Sequence, residues 1–512
     1  MAGPAASGED LTGFQRAMIT VSTMLATIMQ ALDTTIANVA LPHIQGSLSA
    51  SQEQIAWVLT SYIVAAAIMT PLTGWLADRY GRKRVFLMSV VGFTIASALC
   101  GLAFTLPEIV LYRLLQGICG AALVPLSQAL LLDINPPAKH GQAMAIWGVG
   151  IMIGPILGPA LGGWLTDNYS WRWVFFINLP VGVLAVLGIM TFVTESKTAK
   201  PQSFDFFGFT TLSLAVGATQ MLLDRGEIKD WFGSTEVVIE AVVAVTALYL
   251  FIVHTATARR SFLSRALLRD RNFVASTVFM FFVGVVLYGT LTLQPQMLQG
   301  ILGYPVITTG IVTAPRGIGT MVAMMIVGRV IQRVDSRLII LFGLVLTAVS
   351  LWQMTGFSLE MGMGPIITTG LLQGFGLGFV FVPLSTITFA TLAPQYRTEG
   401  SSIFSLMRNV GSSIGISIVE AMLTEKTQIL HAHMIEQVRP DNPLMRDPAF
   451  AHSFDLTTRA GIAAINAMVT RQASMLAYLN DFWLMMLVTV GTLPLLLLLR
   501  RPKNAVRATA ME

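Results

Sequence analysis

The sequence predicts an all-α membrane protein of about fourteen transmembrane helices, built as two six-helix halves with two extra central helices between them. Three observations predict it. Of its residues, 54% are hydrophobic and only 12% charged, with a mean hydropathy of +0.69, which leaves too little polar surface for a water-soluble chain of 512 residues. Mainly apolar stretches of about 20 residues recur from end to end, each long enough as a helix to cross a hydrocarbon core about 30 Å thick. The chain also repeats itself. Leu114-Leu115-Gln116-Gly117 followed by Val124-Pro125-Leu126-Ser127 is echoed by Leu371-Leu372-Gln373-Gly374 and Val382-Pro383-Leu384-Ser385.

The spans of the first half are expected near residues 17–42, 54–76, 84–105, 107–133, 141–166 and 172–193. The first has neither the brevity nor the cleavage site of a secretory signal, so it is expected to stay attached. Cys100 and Cys119 fall inside spans and are assigned to packing. Two further spans are expected near 204–224 and 233–256, and six more near 270–298, 306–330, 337–356, 363–391, 401–424 and 478–500. Counting outward from the repeat landmarks gives an N-terminal six-helix half over 1–193, a central segment over 194–258 and a C-terminal half over 259–512. The last includes a long polar stretch, 425–477, expected as an extracytoplasmic loop with an amphipathic helix around Ala460 to Ala477.

Basic residues between spans orient the chain, because short cytoplasmic loops carry an excess of Lys and Arg. Arg79, Arg82, Lys83 and Arg84 follow span two; Arg259, Arg260, Arg265, Arg269 and Arg271 follow span eight; Arg500, Arg501, Lys503 and Arg507 form the tail. Both termini are therefore expected in the cytoplasm. The formal charge of +5 then reflects topology and contact with anionic lipid headgroups, with no nucleic-acid partner implied.

Span one carries Gln30, Asp33, Thr34 and Asn38 on one broad face of an otherwise apolar helix. A carboxylate there is costly and belongs in the bundle interior or a watery cavity. Burial disfavours its charged form and a nearby cation favours it, which suits a site that binds and releases protons; a structural, hydrogen-bonded carboxylate is the rival. Arg113 of span four lies at a similar depth, with Gln116 on its stripe, and is expected either as a switchable partner of Asp33 or as a permanent ion pair. Gly150, Gly154, Gly158 and Gly162 repeat every fourth residue in span five, where Pro155 and Pro159 disturb the backbone ladder, so this helix can pack closely and bend. Asp78, Arg79 and Arg82 are expected to form a cytoplasmic latch at helix ends.

Arg316 sits near mid-membrane in span ten, where an arginine must find water, an acid or a ligand. It is expected to favour anionic substrates, with a structural pair to Glu420 as the rival. Gln30, Asn38, Gln116, Arg316, Arg408 and Glu420 together form the expected substrate-binding set. His431-Ala432-His433 lacks carboxylate or thiol companions for a metal. There is no phosphate-cradling loop, zinc-ligand helix or nucleophile elbow, so neither an enzyme nor an ATP-driven pump is expected, and no cofactor beyond a proton gradient.

The stretch Gly74-Trp75-Leu76-Ala77-Asp78-Arg79-Tyr80-Gly81-Arg82-Lys83-Arg84 resembles the signature loop of the major facilitator superfamily, and Leu32 to Pro42 resembles its fourteen-span drug:proton antiporters. Arg113 with Gln116-Gly117 matches the fourth-helix motif of that superfamily, and the glycines with Gly158-Pro159 match the antiporter motif of the fifth helix. Pro136 to Lys139, Trp173 to Pro180, Leu223 to Gly226 and Asp230 to Phe232 are similar to the EmrB-like pumps of tripartite efflux systems; Arg316 and Glu420 depart from that pattern.

The resemblance implies a major facilitator fold and a proton-coupled multidrug efflux antiporter of the bacterial inner membrane. It implies small amphipathic drug-like substrates, a fifth helix that seals the cavity against leakage, and a periplasmic adaptor of the EmrA type with an outer-membrane channel. Two alternatives stand: a dedicated exporter of one metabolite on the same fold, and a non-transporting sensor or scaffold.

Overall fold

The computed structural model describes residues 11–195, 204–258, 261–439 and 458–500, which are helical throughout with no strand among them. In the first half run α1 (Gly13–Leu48), α2 (Gln52–Met69), α3 (Leu72–Tyr80), α4 (Arg82–Leu102), α5 (Leu106–Gly120), α6 (Leu123–Ile134), α7 (His140–Asn168), α8 (Trp173–Phe176) and α9 (Asn178–Phe192). α10 (Phe206–Arg225) and α11 (Thr235–Thr257) follow. The second half holds α12 (Arg265–Arg269), α13 (Arg271–Gln296), α14 (Val306–Val330), α15 (Ser336–Met354), α16 (Met363–Ala390), α17 (Arg397–Ile435) and α18 (Arg459–Gly491). Thirteen stretches are long and apolar enough to cross a membrane, fourteen when the bent pair α2 and α3 counts as one.

Three expected spans are broken, each beside a proline; the mildest break divides α8 from α9 at Ile177, three residues before Pro180. α2 and α3 meet at 57° around Pro71. α5 and α6 separate at Ala121–Ala122, one turn before Pro125, whose ring conflicts with the carbonyl four residues back. Within the stretch expected as a loop over 425–477, the helix expected around Ala460 to Ala477 is present as the start of α18, and the difference lies in α17, which runs on through the first part of the stretch. α17 continues to Ile435 and α18 begins at Arg459, so two helices rise beyond the bilayer and are tied by His431 Nε2 and Asn466 Oδ1 at 3.0 Å. Polar residues there keep the helix going because the helix needs no apolar face once it leaves lipid. Residues 440–457 of that stretch, and Arg259, Arg260, Arg501, Lys503 and Arg507, lie outside the described residues.

Small residues set the helix crossings. In the first half a Cβ on Gly154 of α7 would lie 2.3 Å from the Ala31 carbonyl oxygen of α1; in the second, a Cβ on Gly415 of α17 would lie 2.5 Å from the Val285 carbonyl oxygen of α13. α7 and α14 join the halves, with Gly148 against Met324 and Gly328 against Ala145. α10 touches both halves, Gly217 lying against Ile68 of α2 and Gln220 bonding Ser413 of α17 at 2.7 Å. α11 shows its apolar side outward, with Val242 60% and Val245 69% exposed, as a lipid-facing helix does.

Candidate functional site

The site begins with Asp33, which α1 carries into the interior of the first half at 1% exposure. Its Oδ2 accepts from Arg113 Nη1 of α5 at 2.7 Å. Its Oδ1 accepts from Gln116 Nε2 at 2.8 Å and from Asn178 Nδ2 of α9 at 3.0 Å. Arg113, also 1% exposed, donates again to Gln116 Oε1 at 2.8 Å and to the Val58 carbonyl of α2 at 3.1 Å, and its guanidinium lies 4.3 Å from the Tyr62 ring centroid. α4 adds the outer support: Asn178 donates to Ser97 at 3.0 Å and Cys100 Sγ faces Gln116 Oε1 at 3.6 Å. Five helices thus converge on one ion pair whose polar atoms are nearly all satisfied. The geometry allows the charges to coexist in a low-dielectric interior only while each keeps its partners.

The other expected residues are placed as follows. Gln116 stands inside this network with both ends of its amide engaged. Gln30 lies next to the Tyr62 hydroxyl. Asn38 is exposed on α1, farther along the same helix. Arg316 of α14 is 4% exposed and donates to Thr290 Oγ1 at 2.6 Å and the Leu287 carbonyl at 3.2 Å, both on α13. Glu420 instead accepts from Gln296 at 3.4 Å, so the structure does not contain the Arg316–Glu420 pair. Arg408 is buried on α17 with Asn409 as its bonded neighbour at 3.4 Å.

The glycine stripe of α7 lies along α1. Gly150 faces the Met24 methyl, Gly154 the Ala31 backbone, Gly158 the Thr35 hydroxyl and Gly162 Ile36, while Pro159 sits between the last two. At the end that carries the α3–α4 loop, the basic end, Asp133 is bonded by Arg82 and by Arg397 of the other half, the latter at 2.8 Å. Arg82 also reaches the Pro394 carbonyl at 3.1 Å, Gln332 bonds the Ala138 carbonyl at 2.6 Å, and Ser401 bonds Gln128. Asp78 lies close to Arg82 and Glu399, and a Cβ on Gly74 would stand 2.9 Å from the Glu399 Cα. Arg79 is exposed, with its guanidinium 5.1 Å from the Trp75 ring.

Three polar residues escaped the sequence reading. Asn178 and Asp133 each sit at the end of an apolar run, and being the amide or acid in such a run is the signal that marks them. Asp481 of α18 is buried with neither carboxylate oxygen bonded, and its place inside the last span is its signal. Among the described residues no group of His, Cys, Asp and Glu has the makings of a metal site.

Residues 23–416 match the family model described as Major Facilitator Superfamily. The sequence is 38% identical over 93% of both chains to the multidrug export protein EmrB of Escherichia coli (strain K12). It is 34% identical to the fatty acid resistance protein FarB of Neisseria gonorrhoeae, covering 96% of this chain and 97% of that one. In fold it is similar to the proton:xylose symporter XylE, with a TM-score of 0.58 at 14% identity over 94% of this chain and 96% of the other.

Proposed function

We infer that this chain, which belongs to the major facilitator superfamily and is a multi-pass membrane protein, is a multidrug efflux transporter of a bacterial inner membrane that exchanges protons for small amphipathic molecules. The single observation that carries the proton coupling is the Asp33–Arg113 pair, an intramembrane carboxylate held against a guanidinium by 2.7 Å and buried on every side. EmrB, of similar sequence over nearly the whole chain, is by its name a multidrug exporter, which supports the export reading.

The proposed cycle uses the chain's own groups. With Asp33 ionised, Arg113 is held between Asp33 and the Val58 carbonyl, which ties α1, α2 and α5 together. Protonation of Asp33 removes the charge that holds Arg113, and a neutral acid is a much weaker partner for a guanidinium. The first half is then free to repack, and the cross-half contacts of Asp133, Gln128 and Ala138 open or close the basic end, which we place in the cytoplasm because the Arg-rich loops lie there. Substrate and proton thus compete for conformations of one bundle, which is the thermodynamic content of antiport. The close α1–α7 contact limits leakage. The α17–α18 extension lies on the opposite, periplasmic side and is the surface proposed to meet an EmrA-type adaptor, which in turn would join an outer-membrane channel.

Reconstitution in proteoliposomes tests the reading. An imposed pH gradient should drive uphill movement of several chemically unrelated amphipathic compounds that compete with one another. Transport of a single compound would favour a dedicated exporter, and absence of any gradient-driven movement would contradict the proposal.

A further inference from the structure

Arg316 is a buried cation for which the described residues provide no anion. Among the described residues no carboxylate pairs with it; one amino group is bonded to Thr290 Oγ1 and the Leu287 carbonyl, and the other, Nη1, has no partner. The Nε2 of Gln294, one turn beyond Thr290 on the same side of α13, is likewise buried without a partner, and Gln294 is 2% exposed. Gln373 of α16 donates to Thr290 at 3.3 Å and keeps an unbonded Oε1. Buried N–H donors left unmade are expensive, and an unpaired guanidinium at mid-membrane more so.

The internal repeat shows what is missing. Arg316 stands as far before Gly328 as Tyr62 stands before Gly74, and Gly370 stands as far before Gln373 as Arg113 stands before Gln116. The helix crossings agree: a Cβ on Gly117 would meet the Tyr62 carbonyl oxygen at 2.4 Å, and one on Gly374 would meet the Arg316 carbonyl oxygen at 1.8 Å. In the first half, Arg113 and Gln116 donate to the carboxylate of Asp33. In the second, the arginine comes from the neighbouring helix, a Cβ on Gly370 would stand in ordinary contact with its Cβ at 3.6 Å, and the group that Gln373 meets is the hydroxyl of Thr290. The second half therefore repeats the donors of the first and omits the acid.

We propose that Arg316, Thr290, Gln294 and Gln373 form a carboxylate-binding site, and that a carboxylate of an exported amphipathic monocarboxylate occupies it as Asp33 occupies its counterpart. The planar guanidinium fork matches a carboxylate better than a spherical anion. Access is near at hand, because the adjoining Gly317 packs on Ile156 of α7, so the site lies one residue from the seam between the halves that transport motion must open. This assignment rests on the export function proposed above and names the substrate class that one half of the cavity selects.

The test uses glycocholate as the carboxylate probe, its uncharged amide as the matched control, and tetraphenylphosphonium as a lipophilic cation, with the full chain in lipid nanodiscs and in proteoliposomes. Glycocholate should raise the melting temperature of the wild type but not of Arg316→Gln, and the amide should do neither. In proteoliposomes Arg316→Gln should lower pH-driven glycocholate transport about 10- to 100-fold, the loss of one or two charge-assisted hydrogen bonds, and lower cation transport far less. Gln294→Leu, which keeps the charge, should weaken glycocholate less and in the same direction, and keeps the test open should Arg316→Gln fold poorly. Parallel loss of glycocholate and cation transport would make Arg316 structural and overturn the proposal. Equal stabilisation by the acid and its amide would also overturn it. So would protection of the wild type by chloride as strong as by glycocholate, since an inorganic anion would then fill the site. Absence of pH-driven cation transport in the wild type would instead count against the export function, which the nanodisc measurement does not depend on.

Discussion

Asn178 holds the second oxygen of Asp33 in place together with Gln116, and it also donates to Ser97, so its amide links α9 to α1 and α4. Replacing it with Ala leaves buried acceptors short of a donor, at a cost of about 1–3 kcal/mol. The expected outcome for Asn178→Ala is slower pH-driven transport with a folded protein, read as initial rates in proteoliposomes against melting temperature; unchanged rates would make Asn178 a spectator. At this scale the sequence was informative where chemistry is expensive. Asp33 and Arg113 stood out because charge inside a span demands a partner, and similar depth pointed each to the other. What the sequence did not show was the partner's partners. Asn178 comes from a helix remote in the chain, and Gln116, expected at the substrate, turned inward because an ion pair in an apolar interior needs every nearby donor.

The glycines of α7 differ in what opposes them, and that difference makes an element-scale prediction. A Cβ on Gly150 would meet the Met24 methyl, the far end of a flexible side chain, whereas a Cβ on Gly154 would meet the Ala31 backbone. Gly150→Ala should be tolerated, while Gly154→Ala pushes α1 away beside Asp33 and costs about 1–3 kcal/mol of packing. Melting temperature and transport rate of the two variants check this, and equal behaviour would contradict it. The α10–α11 hairpin offers a pH test outside the membrane. Asp205 caps α10. Burial raises its pKa, but bonds from the Gly208 amide, His254 and the Phe262 amide hold it below the ordinary carboxylate value. A depressed folded-state pKa contributes stability that is present above the unfolded value and lost as pH falls through the folded one. Asp205→Asn should therefore lower the melting temperature at pH 7 and make little difference in strong acid. Helix positions followed from apolar length, since a helix satisfies its backbone in lipid within a single segment and each stretch of about 20 apolar residues is long enough to span as one. The start of α18 matches the helix expected around Ala460 to Ala477, but the extension of α17 to Ile435 did not follow, because polar composition marks departure from lipid and says nothing about whether the helix stops.

Across the whole molecule, the described polar contacts between the halves gather at the basic end, where Asp133 is shared by Arg82 and Arg397. The sequence named Arg82 of this latch and set it with Asp78 and Arg79, but missed both Arg397 and Asp133, which are brought together only by the packing of two halves far apart in the chain. Asp133→Asn should weaken that closure and shift the population toward the state open at the basic end, measured as faster labelling of cysteines introduced there; unchanged labelling would remove the latch from the account. The central claim is that Asp33 couples this motion to protons. Its most direct test compares two assays on one variant, Asp33→Asn, reconstituted in proteoliposomes: pH-driven uphill transport, and substrate counterflow with no gradient. The account predicts that uphill transport is abolished while counterflow persists, because an amide still allows the halves to move but carries no proton. Uphill transport at the wild-type rate would contradict it.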